Sequence, residues 1–143
     1  MRLLAIDTAM AACSAAVLEE GADLPRAAAF VAMERGHAEA LAPMVAEAMA
    51  KARLGFRDLD RIAVTIGPGT FTGVRIGLAL ARGLGLALAV PVIGIDTLTA
   101  IAANEPADGL PLLVAADARR EEVYGALYDG AGRNLVQIGR AHV

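Results

Sequence analysis

The sequence holds one cysteine (Cys13), one lysine (Lys51), two histidines and no tryptophan among its 143 residues. Each scarcity removes a class of protein. A lone cysteine permits no intrachain disulfide, so a secreted disulfide scaffold is excluded and a reducing compartment fits best. His37 and His142 lie far apart, and no cysteine or second histidine stands at metal-ligand spacing from His37, so no metal site is predicted. Cys13 has no histidine near it in sequence to activate it, and it reads as a packed thiol rather than a nucleophile. A basic excess is also lacking. With 13 Lys+Arg against 16 Asp+Glu the formal net charge is -3, which does not support direct binding of a phosphate backbone, so any nucleic acid is expected to be engaged only indirectly.

Aromatic residues make up 3% of the chain while hydrophobic residues make up 57%. The core must therefore be built from Ala, Leu, Val and Ile, whose small side chains let helices pack closely. Long uninterrupted apolar runs are missing too. Asp7 and Thr8 cut the opening run far below a signal-peptide core. The run from Ile76 to Ile95 carries Arg82 near its middle and Pro91 toward its end, so it reads as a buried helix followed by a strand. A cytoplasmic location and no membrane partner are expected.

What is present is a regular alternation of elements. Residues 3–6 and 14–18 read as two strands about a short polar turn, with 28–33 as a third, forming an antiparallel meander. From His37 the period changes: Leu41, Met44, Val45, Ala48, Met49 and Ala52 recur at three and four, predicting a regular helix over about 40–53. Pro43 is harmless only in the first turn of that helix, or else it kinks a longer one, and Gly55 is expected to stop it. Residues 61–66 form a short β-branched run that enters GPGTFTG (67–73), and a helix over 73–89 follows. Gly73, Gly77, Ala81 and Gly85 align along that helix as a strip of nearly bare backbone, which needs close packing to offset about 1 kcal/mol per internal glycine. A strand over 90–95, a cap at Asp96-Thr97, strands over 110–117 and 122–129, a turn at 129–132 and a return strand over 134–138 complete the pattern.

Two loops carry the candidate chemistry. In the first, Gly67, Gly69 and Gly73 allow close backbone approach, and Thr70 or Thr72 is placed to cap the helix, an arrangement that suits an anion at a helix N-terminus. It is neither a P-loop nor a dinucleotide fingerprint, and a structural strand-to-helix turn is the plainer reading. In the second, Asp7 and Thr8 end the first strand where a phosphate hairpin would need them. The following turn, Met10-Ala11-Ala12, has no glycine to cradle phosphate, and Asp7 capping its own turn accounts for the residues more simply. The charged segment 117–129, with Tyr124 and Tyr128 on one strand face, reads as a solvated hairpin or a contact patch.

Taken in order, LAIDTA with CSAAV, GHAEALAPMV, GPGTFTGVRIGLALARGLGLAL, PVIGIDTLTAIA and DARREEVYGALY resemble the TsaB (YeaZ) family over residues 3–129. These are the paralogous partners of the TsaD enzyme that makes the threonylcarbamoyl modification of adenosine, at position 37 of tRNA. The resemblance implies an α/β, actin-like (ribonuclease H-like) lobe with a mixed central sheet flanked by helices over about 1–105. It implies a second lobe starting over 106–143 and truncated relative to the family.

The resemblance also implies a subunit without its own catalytic centre. Related TsaD enzymes carry a His-x-x-x-His metal pair on the helix matching 37–53, whereas here His37 is followed four residues later by Leu41. No cofactor is expected, and Asp7, Thr8, Gly67, Gly69 and Thr70 stand as vestigial nucleotide loops. Dimerisation through the helices at 37–53 and 73–89 is implied, with TsaD or with a second copy when TsaD is absent, and TsaE as a further partner. The expected interface residues are His37, Leu41, Met44, Val45, Ala48, Gly73, Gly77 and Ala81. The alternatives are an enzyme of the same superfamily, a nucleotide-dependent transferase or a metalloprotease, and a homodimeric interaction protein.

Overall fold

The structure, a computed structural model, describes residues 1–106, 108–119 and 121–142, with side chains described as far as Val136 apart from Arg119. Arg120, in the charged turn singled out above, lies outside the described residues. Strands β1 (Arg2–Asp7), β2 (Ala12–Glu19) and β3 (Ala27–Ala32) form the expected antiparallel meander. Strands β4 (Arg61–Thr65) and β5 (Val92–Ile95) add parallel to β1, giving a five-stranded mixed sheet of order β3-β2-β1-β4-β5.

The period-two alternation decides which face is covered. Leu4 and Ile6 of β1, Cys13, Ala15 and Val17 of β2, and Ile62 and Val64 of β4 are buried on one face. Helices α1 (His37–Ala52) and α2 (Phe71–Leu88) lie across it, and α1 contributes Leu41, Met44, Val45, Ala48, Met49 and Ala52 to a single core. From α2 the buried residues are Gly73, Gly77, Ala81 and Gly85, the small-residue strip read from the sequence. Their lack of side chain sets the depth to which α2 sinks: a Cβ on Gly77 would sit 2.6 Å from Thr8 Oγ1 and 3.3 Å from Val64 Cγ2. The strip serves packing on the helix's own sheet.

Helix boundaries differ from the expectation for local reasons. α1 starts at His37 after Gly36 at φ 89°, so Pro43 lies inside the helix rather than in a first turn beginning at 40. Pro43 is exposed, which leaves its ring and the missing N–H on the solvent side, where the ladder tolerates the gap. Arg53, not Gly55, stops the helix: it takes the left-handed conformation at φ 57°, and the N–H of Leu54 donates to Met49 O at 3.2 Å. α2 starts two residues earlier than its pattern, at Phe71, because Thr70 Oγ1 accepts a hydrogen bond from Gly73 N at 3.1 Å.

A second sheet follows. Short helix α3 (Thr97–Ala102) is capped by Asp96, whose Oδ1 accepts from Thr99 N at 2.9 Å. Strands β6 (Leu112–Arg119), β7 (Glu122–Tyr128) and β8 (Asn134–His142) form an antiparallel sheet in that order. Leu98 and Ala102 of α3 pack with Val114, Ala126 and Tyr128, so α3 groups by its core with the second sheet although it falls within residues 1–105. Tyr128 is fully buried, its hydroxyl 3.1 Å from Thr99 Oγ1. The turn after β7 is held by Asp129, whose Oδ1 accepts from Ala131 N and Arg133 N. The backbone N–H and guanidinium of Arg133 hold that carboxyl below its usual range.

Cys13 is fully buried in the first core, and burial, reinforced by the charge of Asp7, pushes its thiol up. Two outcomes are expected. Gly77→Ala costs about 1–3 kcal/mol in urea unfolding, because the added methyl must displace Thr8 or lift α2 from the sheet. Cys13 resists iodoacetamide in the native state. Its raised value adds stability that is full below the unfolded thiol's pKa of about 8.5 and is lost as pH climbs through the folded value. Unfolding free energy above that pH therefore falls more steeply for the wild type than for Cys13→Ala.

Candidate functional site

The two loops singled out in the sequence meet at the C-terminal ends of β1 and β4, and most of their polar groups are used on each other. Thr70 N donates to Ala9 O at 2.7 Å, and Thr8 Oγ1 donates to Gly73 O at 2.7 Å. Asp7 Oδ1 accepts from Ala9 N at 2.9 Å and from Thr65 Oγ1 at 2.6 Å. Gly67, at φ 106°, presents its carbonyl to Thr97 N at 2.9 Å, which ties the loop to the start of α3. A Cβ on Gly69 would fall 2.9 Å from the carbonyl carbon of Ala9, and one on Gly73 would strike Thr8 O. These glycines permit contact between two pieces of backbone, where a phosphate cradle would hold an anion.

Beside this junction lies a cavity of about 720 Å³. The first turns of α1 and α2 both border it, with Glu34 and Arg35 from the loop before α1 and Asp117 and Tyr124 from the second sheet. Of the nucleotide-loop residues, Gly69 and Thr70 line it; Asp7, Thr8 and Gly67 do not. Thr8 is buried within the junction, and Asp7 faces a separate depression on the opposite side of the sheet. Two helix N-termini and Arg35 favour negative charge, while Glu34, Glu39 and Asp117 oppose it, so the cavity has no single electrostatic preference. His37 borders it at 7% exposure, with Nε2 3.3 Å from Met10 O. Four residues on, where a second imidazole would complete a helical ligand pair, Leu41 is packed into the core. Among the described residues, no group of three His, Cys, Asp or Glu is arranged to hold a metal ion.

The interface residues read from the sequence require a correction. His37, Leu41, Met44, Val45, Ala48, Gly73, Gly77 and Ala81 are all buried inside the chain. The three-and-four periodicity marks the face that a helix turns toward its own sheet, so it selected the inner faces of α1 and α2. The outward face of α2 is a different set of residues. Phe71 (73% exposed), Arg75, Ala79, Arg82 and Leu86 (84% exposed) occupy it. Arg75 lies over the Phe71 ring at 3.3 Å from its centroid, and its Nη1 donates to Phe71 O at 3.0 Å. The signal was present in the sequence: α2 carries large apolar residues on both faces, and a helix that satisfies only its own sheet has no need of Phe71 and Leu86 on the far side.

Comparison with known proteins agrees with the fold. A family model described as TsaD, tRNA N6-adenosine threonylcarbamoyltransferase, matches residues 25–143. The chain is 41% identical over 130 residues to the tRNA threonylcarbamoyladenosine biosynthesis protein TsaB of Escherichia coli, covering 90% of this chain and 55% of that one. It is 43% identical over 127 residues to an uncharacterised protein of Mycobacterium tuberculosis, covering 88% of this chain and 58% of the relative. The solved YeaZ of Pseudomonas aeruginosa superposes with a TM-score of 0.83 at 36% identity, over 98% of this chain and 66% of that one. The chain thus spans little more than half the length of these curated relatives. With a matching family model, these sequence relatives and a superposable YeaZ structure, the chain belongs to the TsaD-type family, on its TsaB (YeaZ) side.

Proposed function

We propose that this chain acts in the synthesis of threonylcarbamoyladenosine in tRNA as a non-catalytic subunit that docks a TsaD-type paralogue. The outward face of α2 is its binding surface. The observation that carries this reading is the mismatch between what α2 is made of and what the chain covers. Its composition is apolar enough for a membrane span, and while Ile76, Leu78, Leu80, Leu84 and Leu88 pack partly against the core, Phe71 and Leu86 stand exposed on the far side. Each end of α2 is tied into the sheet, through β4 before it and β5 after it, so this helix is a crossover and cannot leave the sheet to cross a bilayer. Phe71 and Leu86 stand about 22 Å apart along it, at 1.5 Å per residue, a span suited to a partner helix.

The absence of catalysis in this reading rests on specific substitutions. Leu41 fills the place of a second metal-binding imidazole, and the hydroxyls and glycines of the two loops are engaged in holding those loops together. No cofactor is assigned to the chain. A TsaE-type ATPase joins the assembly as a further partner, a second copy of the chain takes the place of TsaD when TsaD is absent, and contact with tRNA passes through TsaD. The cytoplasm is the place for such a complex.

Mixing the chain with a TsaD-type paralogue and measuring mass by light scattering tests this. A one-to-one complex is expected. Phe71→Asp or Leu86→Asp weakens it by about 2–4 kcal/mol, as for buried interface anchors, and leaves the melting temperature of the isolated chain nearly unchanged. Leu41→Asp unfolds the chain instead. If the outward substitutions leave the complex intact, α2 is not the docking face. For the nucleotide, millimolar ATP is expected to leave Tm unmoved, whereas a ligand at 100 times its Kd adds about 2.7 kcal/mol; a shift of that size would assign the 720 Å³ cavity to a nucleotide.

A further inference from the structure

Four glycines interrupt α2, and the packing of the chain accounts for three of them. A Cβ on Gly73 would strike Thr8 O, one on Gly77 would sit 2.6 Å from Thr8 Oγ1, and one on Gly85 would strike Val92. Gly83 is different: it is exposed, and a Cβ there would meet nothing within 4 Å. A glycine inside a helix gives up stability relative to alanine, so Gly83 carries a cost that the fold of this chain does not require. No described part of the chain comes close to it, which leaves an approach from outside as the use of its bare backbone.

The surface around Gly83 has both a shape and a sign. At about 100° per residue, Ala79 stands opposite the buried strip, with Arg75 and Arg82 to one side of it and Gly83 to the other. α2 carries no acidic residue, and its two arginines are exposed. They lie about 10.5 Å apart along the axis. Neither forms an ion pair among the described residues. Arg75 is held along its helix by the Phe71 ring and carbonyl, which positions its guanidinium in advance. Between the bulky ends, Phe71 and Leu86, the outward line is low at Ala79 and Gly83 and edged by positive charge.

From this arrangement we infer that the partner helix lying on α2 crosses it at Ala79 and Gly83 and presents carboxylates to Arg75 and Arg82. The inference rests on the reading of α2 as the surface that docks a TsaD-type paralogue, and it names what that surface recognises: an apolar helix face edged by two acids about two turns apart. Packed helices ordinarily keep their axes about 8–10 Å apart, and a bare Cα at the crossing lets them come to the near end of that range. At that distance short carboxylates reach the guanidinium groups beside the crossing, where apolar neighbours exclude water. Gly83 sets how near the partner comes, and the arginines set which edge of the partner faces them. A basic or neutral helix of the same shape would leave both arginines unpaired in the interface.

Titration calorimetry of the chain against a TsaD-type paralogue tests this, with thermal melting of each variant as the check on folding. Gly83→Ala is expected to raise the melting temperature of the isolated chain by about 3 °C and yet to weaken the complex. Gly83→Leu weakens it at least about tenfold. R75E/R82E weakens it at least about tenfold as well, and R75Q/R82Q binds with less dependence on salt than the wild type. A folded Gly83→Leu that binds as tightly as wild type overturns the crossing point, and a folded R75E/R82E that does so overturns the acidic partner face. Either result, with Phe71→Asp still weakening the complex, leaves α2 as the docking surface. A wild-type chain that forms no complex, or Phe71→Asp and Leu86→Asp variants that bind undiminished, overturns the docking reading and this inference together.

Discussion

The first lobe depends on the contact between the turn after β1 and the loop before α2. Two hydrogen bonds, Thr70 N to Ala9 O and Thr8 Oγ1 to Gly73 O, join chain segments more than sixty residues apart. They form because Gly69 and Gly73 have no Cβ to keep the backbones separate. Once they form, the start of α2 is fixed, its glycine strip lies over Thr8 and Val64, and β4 is held beside β1 by both its ladder and the helix that leaves it. The carbonyl of Gly67 then sets the start of α3, and through α3 the position of the second sheet.

The same junction explains why a loop with the composition of an anion site is not read as one. In a phosphate cradle the free N–H groups of a glycine-rich turn point at an empty space. Here Thr70 N and Thr8 Oγ1 are donated to carbonyls, and Asp7 Oδ1 is occupied by Ala9 N and Thr65 Oγ1. The cavity next to it is lined by mixed charge, and the position that would pair with His37 is a core leucine. The outward face of α2, by contrast, carries apolar area at Phe71 and Leu86 that the described residues leave uncovered.

How much of this was legible in the sequence follows from what each signal reports. Period-two and period-three-and-four patterns report contact with the chain's own core, so the strands, both long helices and the buried strip were readable. Helix ends were less so, because the left-handed turn at Arg53 and the early start set by Thr70 depend on backbone geometry rather than on residue preference. The nucleotide-loop residues read as one set in the sequence, but only folding reveals that Asp7 faces one side of the sheet while Gly69 and Thr70 border the cavity on the other. The interface residues that the family resemblance implies turn out buried for a related reason. Periodicity marks the buried stripe most strongly, and the exposed one, Phe71 to Leu86, stands out only as surplus hydrophobicity once the buried one has been assigned.

Among the described residues the junction contains no ion pair. It is made of hydroxyls, amides, one carboxylate acceptor and bare Cα atoms, whose interactions respond little to ionic strength. The outer surface of α1 and α2, where formal charges sit in water, responds strongly. The lobe therefore separates two sensitivities in space: its internal geometry is indifferent to the salt around it, while any contact made through its charged outer surface is tuned by that salt. Ionic conditions can change what that surface attracts without loosening the fold beneath it.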